Sequence, residues 1–219
     1  MQTLLVATGN AHKVEEIRSV IGTRFRVISQ KDLDFRLDPD ETGSTFAENA
    51  AIKALTWARH LVSAAEVDGV DWVLADDSGL EVDILGGAPG VHSARYAHVE
   101  TEQTGNAPDA ANNARLLREL ARFPAERWTA RFKCVLALVP VRPGASSGGL
   151  ERETRWFEGA CEGRIQIQAS GVGGFGYDPL FVPEGETRSF AELGASVKNR
   201  ISHRARALEA LFIGVSREG

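Results

Sequence analysis

Apolar residues arrive along this chain in two rhythms. Leu4-Leu5-Val6-Ala7 is an unbroken apolar run, the mark of a buried strand over residues 3–7, and then Val14, Ile17 and Ile21 recur at helical spacing over Lys13–Ile21. A second helix is expected from Phe46 to Leu61: Thr45-x-x-Glu48 has the capping-box pattern, and Ala51, Ala54, Ala58 and Leu61 form one narrow stripe. Trp72-Val73-Leu74-Ala75 reads as a short buried strand that delivers Asp76-Asp77-Ser78-Gly79 at its end, with GGAPGVHS beyond it as a long turn. Residues 109–121 form a helix with Asn113, Leu116, Leu117 and Leu120 on one side. Segments 130–139 and 152–161 read as strands joined by an exposed hairpin connection, PVRPGASSGGLE. GVGGFGYDP is a second glycine-rich loop leading into Leu180-Phe181-Val182. Val197, Ile201, Ala205, Leu208, Phe212 and Val215 step by 4, 4, 3, 4 and 3, the stripe of one closing helix.

Strands and helices interleave early and pair as hairpins late, which favours a mixed-sheet α/β fold, with residues 1–219 as one domain. Composition does not disturb that picture: 43% hydrophobic and 25% charged residues in 219 are ordinary for a globular chain. No stretch approaches the about 18 apolar residues of a membrane span, and MQTLL lacks the basic and long apolar parts of a secretory signal, so a cytoplasmic setting with no membrane partner is expected. The net charge of -5 argues against a broad nucleic-acid surface. An anionic ligand must therefore meet a local basic cluster. Cys134 and Cys161 lie in strand-like runs outside any C-x-x-C pair and read as reduced, half-buried thiols. The tryptophans at 57, 72, 128 and 156 fall on elements and read as core, and His12, His60, His92 and His98 show no ligand spacing.

Four blocks carry candidate chemistry. In TGNAHK a glycine turn leads from strand to helix, where backbone N–H groups and the helix N-terminus suit phosphate and Lys13 adds a full charge. Neither a Walker loop nor G-x-G-x-x-G is present. Asp76 and Asp77 end an apolar run, where paired like charges need relief by a cation or a proton. With Glu41 from the polar loop before the second helix they suit Mg²⁺, which takes one or two carboxylates and keeps water and phosphate for the rest. GGFGYDP displays Phe175 for stacking on a base, and KNRISHR gathers Lys198, Arg200, His203 and Arg204. Each block taken singly also fits a plain structural role: a strand-to-helix turn with a solvated lysine, a capped turn, a tight turn with Phe175 in the core, a solvated helix face.

In this order TGNAHK, ETGSTFAENAAIKA, ADDSGLEVDILGGAPGVHSARYA, GGFGYDPLF and SHRARAL closely resemble the inosine triphosphate pyrophosphatase family, from the first strand to the last helix. The resemblance implies an elongated mixed β-sheet flanked by helices, with two lobes around a central cleft, and a homodimer. It implies a Mg²⁺-dependent hydrolase that splits the deaminated purine nucleotides ITP, dITP and XTP to monophosphate and pyrophosphate. Carried over block by block, Thr8, Gly9, Asn10, Ala11, His12 and Lys13 would cradle the phosphates, with Lys53 as a further phosphate contact. Glu41 and Asp77 would hold the metal, and Asp77 would accept the proton of the attacking water. Ser78 would touch the substrate. Phe175, Gly176, Tyr177, Asp178 and Lys198 would line the nucleotide site, and His203 and Arg204 would read the base. Whether Asp76 also touches the metal stays open. Two segments depart from the usual pattern by their length, Ser63–Asp71 and PVRPGASSGGLE. The rival readings are a pyrophosphatase of similar architecture acting on other modified nucleotides, and a nucleotide-binding module without turnover.

Overall fold

The computed structural model describes residues 1–63, 69–101 and 103–216; most of the long Ser63–Asp71 segment lies outside them. In chain order the elements are β1 (Thr3–Val6), α1 (Ala11–Ile21), β2 (Arg26–Ser29), α2 (Phe46–Ser63), β3 (Trp72–Val82), α3 (Asp109–Leu120), β4 (Thr129–Pro140), α4 (Ser147–Glu153), β5 (Arg155–Ile165), β6 (Phe181–Pro183), α5 (Phe190–Leu193), α6 (Ala195–Ile201) and α7 (His203–Ser216). The strands form a six-stranded sheet in the order β2-β1-β3-β4-β5-β6. It is mixed, as expected: β1 runs parallel to both β2 and β3, and β5 runs antiparallel to β6.

The chain divides into two compact units, residues 1–77 with 134–158 and 207–219, and residues 78–133 with 159–206. The first has apolar cores on both sheet faces. On one, Leu5, Val73, Ala75 and Ala137 pack with Ala50, Ala54, Trp57, Ala58 and Leu61 of α2. On the other, Leu4, Val6, Leu74, Cys134 and Leu136 pack with Val14, Ile17 and Ile21 of α1 and with Leu208 and Leu211 of α7. Strand side chains alternate between faces, so neighbours in β1 and β3 serve different cores. The second unit is built around Leu80, Val82, Tyr96, Leu116, Phe132, Tyr177, Leu180 and Phe181.

The capping box forms as expected: Glu48 N donates to Thr45 Oγ1 at 3.2 Å and Thr45 N to Glu48 Oε2 at 3.1 Å. The stripe behind it is wider than read, because Ala50 and Trp57 are fully buried and Ala51 is only half-buried.

Several expectations change. The short strand Trp72–Ala75 is the first third of β3, so Asp76-Asp77-Ser78-Gly79 lies within a strand of 11 residues rather than at its end. GGAPGVHS gives way to a 3-10 segment, Gly90–His98. The hairpin connection contains α4, whose N-cap Ser146 accepts a hydrogen bond from Gly149 N and whose Leu150 is buried in the first unit's core. The single closing helix is two, α6 and α7, broken at the extended residue Ser202, whose Oγ accepts a hydrogen bond from Ala205 N at 3.2 Å. Neither thiol is in a disulfide, and both are buried rather than half-buried. Trp57 and Trp128 are core residues, whereas Trp156 is 48% exposed.

Candidate active site

Within the first unit, buried charge gathers around two lysines. Lys53 lies on α2 among residues facing the core and is 8% exposed, and its Nζ donates to Glu41 Oε1 at 2.6 Å and to Asp77 Oδ1 at 2.8 Å. Two carboxylates, one from the loop before the helix and one from β3, thus share one ammonium. Burial lowers the proton affinity of Lys53, but the two carboxylates outweigh it and hold its pKa above the ordinary value. Asp77 moves upward: its burial outweighs the relief from Lys53 and Lys13, and Glu41 adds like-charge repulsion. Its second oxygen, Oδ2, is buried with no hydrogen-bond partner among the described residues. The neighbouring Asp76, fully buried, pairs instead with Lys13, Nζ to Oδ1 at 2.7 Å.

The glycine turn is arranged differently from the sequence reading. Asn10 caps α1, its side-chain oxygen accepting from His12 N at 2.9 Å and Lys13 N at 3.2 Å, and Asn10 N itself donates to Thr8 Oγ1 at 3.2 Å. The amides of Asn10, His12 and Lys13 are therefore engaged within the turn, and Ala11 and His12 are exposed on the first turn of α1. Gly9 is exposed, and a Cβ built there meets nothing within 4 Å. The packing of the described residues therefore leaves the space beside Gly9 open.

The second unit assembles the other candidates. Lys198, buried on α6, donates from Nζ to Asp178 Oδ2 at 2.5 Å and stands 4.4 Å from the centre of the Phe175 ring. Phe175 N donates to the same Asp178 oxygen at 2.9 Å. Arg204, 1% exposed on α7, donates from Nη2 to Ser78 Oγ at 3.0 Å and stands 6.0 Å from the Phe175 ring centre. Residues 126 positions apart in the chain are so brought into contact. His203 is buried, its ring stacked on Phe132 at 4.8 Å. Tyr177 departs from the expected lining role: its ring is 3% exposed in the core and its hydroxyl donates to the Ser93 carbonyl at 2.9 Å.

Nor is the glycine-rich loop loose. Gly176 is clamped from α3, its N–H donating to Asp109 Oδ2 at 2.6 Å and its carbonyl accepting from Asn113 Nδ2 at 3.0 Å. Sequence reading missed Asp109 and did not place Asn113 here. The one available signal was their spacing of four on a helix, which puts both on one face.

The Ham1 family model matches residues 4–213. The chain belongs to the Ham1 family. The dITP/XTP pyrophosphatase of Geobacillus kaustophilus is 46% identical to it over 214 residues, covering 96% of this chain and 93% of that protein. That of Xanthomonas campestris is 44% identical over 214 residues and 96% of either chain. Among solved structures, the Ham1 protein of Staphylococcus aureus is similar at a TM-score of 0.77 and 34% identity over 100% of both chains. The nucleoside-triphosphatase, dITP/XTP pyrophosphatase of Mycobacterium abscessus gives 0.66 and 38%, over 96% of this chain and 98% of that one. The resemblance in the sequence blocks and the mixed-sheet α/β fold are thus both borne out, and this Ham1 family chain runs nearly the full length of those relatives.

Proposed function

We propose that this Ham1 family chain hydrolyses the deaminated purine nucleoside triphosphates ITP, dITP and XTP to the monophosphate and pyrophosphate, removing them from the nucleotide pool. The observation that carries the chemistry is the pair Glu41 and Asp77, gathered on the ammonium of Lys53, with Asp77 Oδ2 buried and lacking a hydrogen-bond partner among the described residues. The relatives named for dITP and XTP supply the substrate class.

The donor set fits a divalent ion of the magnesium kind. No group of three or more His, Cys, Asp or Glu side chains able to hold a metal occurs among the described residues, and an ion that keeps its waters and takes the rest of its shell from substrate phosphate needs only one or two carboxylates. Glu41 and Asp77 would hold it, and the orphaned Oδ2 is an oxygen already stripped of water and short of a cation. When bound, magnesium supplies charge neutralisation to the triphosphate and acidifies water.

The chain's own residues do the rest. Asp77 accepts the proton of the water attacking the α-phosphorus, a task helped by burial that lifts its pKa. Lys53 holds the two carboxylates together against their mutual repulsion. Lys13 and the backbone at Gly9 meet the phosphates, the charge compensation that dominates phosphoryl chemistry. Base recognition falls to Phe175, Asp178, Lys198 and Arg204. Phe175 offers a ring face, Asp178 fixes Lys198, and Arg204, held by Ser78, donates to the 6-keto oxygen that hypoxanthine and xanthine carry. Adenine sets an amino donor against that donor, and an unpaired buried donor costs about 1–3 kcal/mol or more. His203, stacked on Phe132, stiffens the segment that presents Arg204. The same reading takes the active form as a homodimer, on the family resemblance alone, and places it in the cytoplasm.

The deciding experiment is steady-state pyrophosphate release from ITP, XTP, dITP, GTP and ATP side by side, with and without EDTA. The expected order places ITP, dITP and XTP well above ATP, with activity lost in EDTA. Equal specificity constants for all five, or binding without release, would reject the proposal.

A further inference from the structure

The two consecutive carboxylates of β3 are sent by the strand's period of two to opposite faces of the sheet. Asp77 shares its face with Val73 and Ala75, the side covered by α2 and Lys53. Asp76 shares its face with Leu74 and Cys134, the side covered by α1. There it is fully buried: Oδ1 lies 2.7 Å from Lys13 Nζ, and Oδ2 accepts from Cys134 Sγ at 3.1 Å. Lys13 Nζ also reaches the Asp76 carbonyl oxygen at 3.4 Å.

We infer that Asp76 is the positioning residue for Lys13, held in its working rotamer by the Cys134 thiol, and that it is not a metal ligand. The inference rests on the reading of Lys13 as a phosphate contact. A lysine on a four-carbon stem samples many rotamers when unpaired, and each must be surrendered when phosphate arrives. Paired twice to Asp76, through carboxylate and backbone, the ammonium is ordered beforehand, which is the preorganisation that improves affinity without any new contact. Cys134 sits on the adjacent strand β4, on the same face, and its thiol is a weak donor aimed at the oxygen that Lys13 does not take. It thereby fixes the plane of the carboxylate. Asp76 is oriented away from the oxygens that Lys53 collects, so the paired acids divide the work: one toward cation and water, one toward a lysine.

Four variants test this: Lys13→Ala, Asp76→Asn, Cys134→Ala and Cys134→Ser, each assayed for kcat and KM with ITP. In parallel, Mn²⁺ binding without nucleotide is followed by electron paramagnetic resonance, with Asp77→Asn as the control that loses it. Asp76→Asn is expected to raise KM about tenfold, the worth of one charged hydrogen bond, with Mn²⁺ affinity unchanged within about twofold. Combined with Lys13→Ala it should add nothing further, since both act through one ammonium. Cys134→Ala should raise KM about threefold, and Cys134→Ser, which restores a donor, should return it toward the parent value. If Asp76→Asn does not fold, the Ser and Ala variants at 134, nearly equal in volume, carry the comparison. The inference fails if Asp76→Asn lowers Mn²⁺ affinity as Asp77→Asn does, or if Ser at 134 is no better than Ala. A Lys13→Ala protein with unaltered KM would instead remove the phosphate contact on which it rests.

Discussion

Replacing Asp77 by Asn separates chemistry from folding, because the structure gives the two effects different sizes. The carboxylate is 6% exposed and accepts one hydrogen bond, from Lys53, while its other oxygen has no hydrogen-bond partner among the described residues. An amide keeps the shape and can still accept from Lys53, which retains Glu41 at 2.6 Å. The fold should therefore shift by no more than about 1 kcal/mol, or roughly 2–4 °C in Tm for a chain of this size. Turnover loses its proton acceptor, a fall of a hundredfold or more, equivalent to about 2.7 kcal/mol of barrier. The sign of the pH dependence follows from burial. Since the folded-state pKa of Asp77 lies above its unfolded value, the folded chain holds more protons in the window just above the ordinary carboxylate range, and stability falls as pH rises through it. In EDTA the parent should show that slope from this group and Asp77→Asn should lack it. The assay is pyrophosphate release alongside thermal melts from pH 4 to about 8. A rate within tenfold of the parent, or a Tm lower by far more than the few degrees above, refutes the reasoning.

Other expectations follow from single contacts. Gly174 has φ +75°, and a Cβ there would stand 2.1 Å from Asp178 Oδ2. Gly174→Ala should therefore cost about 1–3 kcal/mol in thermal unfolding and raise KM for ITP by disturbing the Asp178–Lys198 pair. Arg204→Ala should erode the ITP-over-ATP ratio of specificity constants by about tenfold or more, and an unchanged ratio would take base reading away from it. Asp109→Ala removes the acceptor that holds Gly176 N and should raise KM for ITP more than it lowers kcat, as expected for uniform binding; steady-state kinetics of the two parameters decide it.

Local chemistry was the part of the fold that sequence reading could reach. The apolar run before TGNAHK, the reciprocal pair Thr45 and Glu48, and the helical recurrence of Val14, Ile17 and Ile21 each signal through near neighbours, and each forms as read. What escaped was set by tertiary partners. Ser147-Gly-Gly is a poor helix opening, yet α4 forms because Leu150 has a core to enter and Ser146 caps it. The break at Ser202 hides behind an apolar stripe that continues through it, although a serine before His203 is itself an N-cap signal. Residues 76–79 read as leaving a strand because two adjacent acids oppose burial in any sequence scale.

They stay in β3 because lysines from two different helices meet them on opposite faces, Lys13 from α1 and Lys53 from α2. The same alternation explains why the candidate site could be named but not divided. A sequence shows Asp76 and Asp77 as one acidic pair, and only the pleat makes them neighbours in chain and strangers in space. Removing either lysine would leave a carboxylate buried and uncompensated, which is costly, whereas an amide at 77 leaves Lys53 paired with Glu41: the lysines that would serve a triphosphate are also what allows β3 to run unbroken from Trp72 to Val82.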